Sequence, residues 1–210
     1  MGATRQGQHD QRRHRTAGLC LTLLLAACGG GDGGETPATP PTATTSPAPA
    51  SPPPPQPPPS SASRATCDLP NFQADLLLAI NTARRAGAHC GSQGSFVATT
   101  TLDWNNALAS AALVHSDDMV VRDFFSHTGS DGRNAGDRAT AAGYVWSSWG
   151  ENIAAGYGSA AAVMAGWMAS PGHCANIMAP SFQHVGVACV KGSAGNRYGN
   201  YWTMVLGKPR

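Results

Sequence analysis

The sequence predicts an α+β domain in the C-terminal part of the chain, and three observations carry that reading. Apolar residues recur at helical spacing early in the region, short apolar runs of strand type close it, and the last two runs are joined by a turn-rich segment. Phe72, Leu76, Ile80 and Ala83 form the stripe of an amphipathic helix that Gly87 stops. Asp103 is expected to N-cap a second helix, with Trp104, Leu108, Ala111, His115 and Met119 on one face. A third, shorter helix is expected from Asn134 to Ala142. Ser159 caps a fourth that runs through Val163 and Trp167 and ends at Ser170-Pro171, because a residue before proline avoids the helical region. Strands are expected at Gly150 to Ala155, His184 to Val190 and Tyr201 to Leu206, the last two paired antiparallel across the Gly- and Asn-rich turn Gly192 to Asn200.

Ahead of this domain the composition changes. The chain has 210 residues and a net charge of +2, too near neutral for a nucleic-acid binder. Its basic excess lies in Arg5, Arg12, Arg13 and Arg15, which precede an apolar run from Ala17 to Ala27. That order is a secretory signal, and the run is too short to span a bilayer. Residues 1–27 end in Leu25-Ala26-Ala27-Cys28-Gly29, which resembles the lipobox of bacterial lipoproteins. The resemblance implies that Cys28 is lipidated and becomes the mature N-terminus; the alternative is an ordinary cleaved signal. Gly29 after Cys28 resembles the signals that sort lipoproteins to the outer membrane. Residues 28–66 are rich in Gly, Pro, Ser and Thr, and most of the prolines of the chain lie between Pro37 and Pro59. So few apolar side chains cannot offset the entropy of ordering, so this segment is expected to be an extended or disordered tether. Membrane attachment, on this reading, rests on lipid at Cys28.

Residues 67–210 are long enough for one packed domain. The domain holds Cys67, Cys90, Cys174 and Cys189, an even number in an exported chain, which predicts two disulfides. Three pairings are open; Cys67 with Cys90 and Cys174 with Cys189 is favoured, because each pair brackets one local unit. Several chemistries lack their motif. Gly156-Tyr157-Gly158-Ser159-Ala160-Ala161 has the outline of a dinucleotide loop, but no Asp or Glu follows Glu151 to hold a ribose. There is no G-x-S-x-G, no H-E-x-x-H and no P-loop.

One set of ordered motifs remains: His115-Ser116-Asp117-Asp118-Met119, Phe124-Phe125-Ser126-His127-Thr128-Gly129, Gly150-Glu151-Asn152-Ile153-Ala154, Ser170-Pro171-Gly172-His173-Cys174-Ala175-Asn176, Val185-Gly186-Val187 and Tyr201-Trp202. This series resembles bacterial CAP domains, also called SCP-like extracellular domains, from about Asp68 to Leu206. The resemblance implies a three-layer α-β-α sandwich around a small three-stranded antiparallel sheet. It also implies a central cleft in which eukaryotic members place two histidines and two glutamates able to bind zinc or a similar divalent ion. Matched by motif, those positions fall on His127, Glu151 and His173, with Ser170 where the second glutamate would be.

Two imidazoles and one carboxylate form the inventory of an open zinc site. His173 would lie in the first turn of a helix beginning at Pro171, with Ser170 as its N-cap. The expected function is an envelope-anchored binding module for a lipid, an envelope component or a protein, its polar cleft open to a divalent cation. The alternative is a metal-dependent hydrolase or peptidase with Glu151 as the catalytic general base. Both readings require the two rings and the acid, with no arginine among them, to converge in one hollow. His115 is expected to be a satisfied, part-buried core histidine, His89 and His184 exposed or structural, and Trp146, Trp149, Trp167 and Trp202 core residues.

Overall fold

The computed structural model describes residues 65–210; the leader, Cys28 and nearly all of the tether lie outside the described residues. Five α-helices are described: α1 (Phe72–Ala86), α2 (Asn106–Arg122), α3 (Ala135–Ala141), α4 (Ala160–Ala169) and α5 (Pro171–Met178). The strands are β1 (Ala88–His89), β2 (Ser95–Phe96), β3 (Asp103–Trp104), β4 (Trp146–Ala155), β5 (His184–Lys191) and β6 (Asn200–Pro209). Strands β1 and β2 make a small hairpin, and the main sheet has the order β3-β5-β6-β4. Its three long strands are antiparallel, as the family resemblance implies, and a two-residue β3 adds to β5 in parallel.

Strand alternation sorts the core into two layers. Val185, Val187 and Cys189 of β5, with Trp202, Met204 and Leu206 of β6, pack against Phe72, Leu76 and Ile80 of α1, Val163 and Trp167 of α4, and Ile177 of α5. The opposite face presents Ala188 and Val205 to Leu108, Ala111 and Ala112 of α2 and to Ala135 and Ala139 of α3. Gly186 belongs to this second face, where a β-carbon would stand 2.1 Å from the backbone nitrogen of Ala109. Only a residue without a side chain lets α2 lie that close to the sheet.

Three expectations are corrected. Asp103 does not cap α2. Its amide donates to the Gln183 carbonyl and that of Asn105 to Val185, which pins the segment as β3; the N-cap is Asn105, whose side chain accepts from Ala107 and Leu108. Trp104 is therefore a strand residue, while Leu108, Ala111, His115 and Met119 are buried as expected. The disulfides are Cys67–Cys189 and Cys90–Cys174, not the local pairs. Residues 65–67 run beside β5, exchanging backbone hydrogen bonds with Cys189, and the turn after Cys90 packs on Pro171 at the start of α5. Each bridge thus closes a long loop, contributing about 4–5 kcal/mol on chain-entropy grounds. Finally, Trp167 and Trp202 are core residues in edge-to-face contact, but Trp149 is 36% exposed and Trp146 half-buried, because β4 forms the sheet edge and its first half leaves the core.

The stripe of α1 runs one step further than its apolar residues. Arg84 is fully buried and donates to the carbonyls of Thr100, Ile177, Ala179 and Phe182. Burial lowers its pKa, and the end of α5 supplies two of its acceptors, where the helix dipole favours a cation.

Candidate functional site

The site is built where α3, the loop after α2 and strand β4 meet. Asn134 and Asp137 form a capping box at the start of α3, which fixes the helix and sets Arg138 on the inward stripe with Ala135 and Ala139. In β4, Glu151 stands opposite Val205, so its side chain points to the α2–α3 face. Arg138 Nη2 donates to Glu151 Oε2 at 2.6 Å, and the two side chains are only 4% and 3% exposed. The same guanidinium donates to the carbonyls of Arg133 at 2.7 Å and His127 at 3.2 Å. His127, on the loop, is 58% exposed and is hydrogen-bonded through Nδ1 to Glu151 Oε1 at 2.8 Å. A carboxylate accepts only, so Nδ1 is the donor, and in the neutral ring Nε2 is the acceptor nitrogen of a side chain that is mostly exposed. The chain Arg138, Glu151, His127 therefore runs from core to surface and ends in an exposed imidazole that is held in place.

His115 stands beneath this chain. It is fully buried and its Nε2 donates to the Ser126 carbonyl at 2.8 Å, which leaves Nδ1 without a proton. That Nδ1 and Arg138 Nε are both buried without a hydrogen-bond partner among the described residues. Burial pushes the His115 pKa down; Glu151 opposes this and Arg138 adds to it. The expectation of a satisfied, part-buried histidine holds for one nitrogen and understates the burial. His89 is exposed beside Ser95, and His184 Nδ1 is hydrogen-bonded to the Tyr144 hydroxyl at 2.8 Å.

The remaining predicted residues come from the other side of β4. Asn152 stands opposite Met204, on the α5 face, and its amide donates to the His173 carbonyl at 3.0 Å. Asn176 in turn donates to the Glu151 carbonyl and to Asn152 Oδ1, so α5 is clamped to β4 by amides. His173 lies in the first turn of α5, and burial, with His127 nearby, pushes its pKa down toward the neutral ring. Ser170 occupies the N-cap position of α5, but its side chain makes no capping bond, contrary to the role expected of it. A shallow cavity of about 240 Å³ runs between Phe125, Ile153, Tyr157, Trp167, Ser170 and His173.

The structure thus joins His127 to Glu151 and places His173 near His127, but it does not gather the three expected ligands around one point. Among the described residues, no group of three or more His, Cys, Asp or Glu is placed to hold a metal ion. Alternation explains part of this: Glu151 and Asn152, the residue that binds the His173 backbone, point to opposite faces of the sheet. Arg138 explains the rest. It was expected that no arginine would share the hollow, and instead a buried guanidinium occupies Glu151 Oε2. A divalent ion placed about 4 Å from it would meet a repulsion of about 8 kcal/mol at an effective dielectric constant of about 20. The residues present do not fit a divalent cation. Glu151 is only 3% exposed, with Arg138 on one oxygen and the His127 ring on the other, so the group of this chain that meets solvent is the His127 ring.

Sequence reasoning missed Arg138, although a signal was there. It lies three residues after Ala135 and one before Ala139, on the stripe that a short Ala-rich helix must bury.

Residues 77–206 match the profile of the cysteine-rich secretory protein family, CAP. Among curated proteins, the uncharacterized protein YkwD of Bacillus subtilis is 32% identical over 103 residues, which is 49% of this chain and 38% of that protein. The uncharacterized membrane protein YlbC of the same organism is 33% identical over 86 residues, 41% of this chain and 25% of YlbC. The chain therefore spans well under half the length of either relative. A solved extracellular protein containing an SCP domain, from Bacillus anthracis, is 29% identical with a TM-score of 0.46, covering 52% of this chain and 34% of that one.

Proposed function

The chain belongs to the cysteine-rich secretory protein family, and from that premise we propose that it is an exported, envelope-anchored binding module whose ligand is held at the cleft mouth by His127. Two disulfides joining distant segments support folding in an oxidising compartment. The lipid anchor at Cys28 and the tether that follows place the module on the membrane, the outer membrane being favoured by Gly29. The observation that carries the binding role is the exposed imidazole held by a buried ion pair. A fold has no need to spend a buried carboxylate and guanidinium on orienting a surface ring, whereas a recognition site does. The ligand is a lipid, another envelope component or a protein that offers a hydrogen-bond donor to Nε2.

Two experiments test this. Palmitate labelling of cells expressing the full chain should disappear in Cys28→Ala; an unlabelled wild type removes the anchor. For the cleft, wild type and His127→Ala are compared for binding to immobilised envelope lipid extract, peptidoglycan and envelope protein. One fraction should lose about tenfold or more in affinity in the variant, the loss of one good hydrogen bond. Equal binding by both proteins to every fraction removes His127 from the role.

A second reading has one observation in its favour: an imidazole oriented through Nδ1 by a carboxylate is the arrangement of a general base. A panel of peptides and esters turned over by wild type and not by His127→Ala would establish it, and absence of turnover by wild type would end it.

A further inference from the structure

We propose that Arg138 is the resident cation of this site: it takes the place that a divalent ion would fill beside Glu151, and so closes the site to metals while fixing Glu151 to hold His127. The inference is independent of which ligand the cleft binds. Four observations carry it. The ion pair is short and both partners are almost wholly buried, so the carboxylate already has a full counter-charge that solvent does not screen. The guanidinium is not an adaptable surface group that swings aside, because it also donates to the Arg133 and His127 carbonyls and its helix is locked by a capping box. Arginine stays charged under all ordinary conditions, so a metal cannot displace a proton to make room, as it does at a histidine or a thiol. Finally, Arg138 binds the backbone of His127 while Glu151 binds its ring, so one cation organises both ends of the residue that faces outward. A bound metal would organise the same carboxylate and ring from its coordination sphere, and here the side chain of Arg138 does so from within the fold.

The claim has a gain-of-function test. The full chain, purified after export with its disulfides intact, is titrated with zinc chloride by calorimetry and by competition with a chromogenic chelator. Wild type, Arg138→Lys, Arg138→Met and the double variant Arg138→Met/Glu151→Gln are compared. Removal of the charge in Arg138→Met frees Oε2 of Glu151 beside the His127 ring on Oε1, and zinc affinity should rise about tenfold or more over wild type. Arg138→Lys, which keeps the charge, should stay at the wild-type level, and the double variant should lose the gain. Zinc affinity in Arg138→Met equal to that of wild type overturns the proposal, as does a gain that survives Glu151→Gln. If Arg138→Met does not fold, wild type decides the matter alone through ligand linkage. A thermal midpoint that does not rise in excess zinc supports the proposal, and a saturable rise with one-to-one stoichiometry overturns it.

Discussion

Replacing Glu151 with glutamine changes one oxygen to an amide and leaves Arg138 buried without its counter-charge. Both side chains are under 5% exposed, so the values known for buried pairs apply without a discount for solvent. Breaking such a pair by removing one partner costs about 3–5 kcal/mol, whereas replacing both partners with neutral groups of similar volume is often close to neutral. Glu151→Gln should therefore lose about 3–5 kcal/mol, and Glu151→Gln/Arg138→Met should lie within about 1 kcal/mol of wild type. At roughly 2–4 °C per kcal/mol for a domain of this size, the single variant should melt roughly 6–20 °C lower. The assay is equilibrium unfolding in denaturant at neutral pH with disulfides intact, followed as a double-mutant cycle with Arg138→Met as the other single variant. A loss below about 1 kcal/mol in Glu151→Gln would refute the buried-pair reasoning, as would a double variant that loses the full sum of the two singles.

Further predictions concern the supports of the site. His115 and His173 both have folded-state pKa values lowered from 6.5, chiefly by burial, so the unfolded chain takes up protons first. Their contribution is complete above that unfolded value, and stability falls as pH drops below it toward the folded values; His115→Gln should flatten this slope in unfolding midpoints measured from neutral to mildly acidic pH. Gly186→Ala should cost about 1–3 kcal/mol or more, read as a lower denaturant midpoint, because the new β-carbon would press on the α2 backbone at Ala109. Arg84→Met should cost about 3 kcal/mol or more, since the carbonyls of Thr100, Ile177, Ala179 and Phe182 all lose a donor; a thermal midpoint unchanged from wild type would contradict that account.

Periodicity made much of the fold legible. The stripe at Phe72, Leu76 and Ile80, the short helix near Asn134 to Ala142, the cap at Ser159, the stop at Gly87 and the hairpin of β5 and β6 all follow from local rules that the tertiary structure does not override. What failed depended on neighbours distant in sequence. Asp103 has the chemistry of a cap, but the hydrogen bonds that β5 offers on either side of it decide the matter. The cysteines pair across the sheet because residues 65–67 lie along β5, and spacing carries no trace of that. In the site, His127 and Glu151 meet as the family resemblance implied, while the charge that governs them lies on a stripe of α3. Arg138 and Arg84 both continue a buried stripe, and each was passed over because arginine is normally a surface residue. A charged side chain on an otherwise apolar face is a sign of a partner inside, here a carboxylate in one case and a cluster of carbonyls in the other.

The hydrogen of the His127 ring tests the central claim most directly. Long-range proton–nitrogen correlation spectra of the full chain report which ring nitrogen carries it. With Glu151 held by Arg138 and accepting from Nδ1, the spectrum should show Nδ1 protonated and Nε2 bare. A His127 ring protonated at Nε2 would mean that the carboxylate does not hold it, and the site described here would not exist.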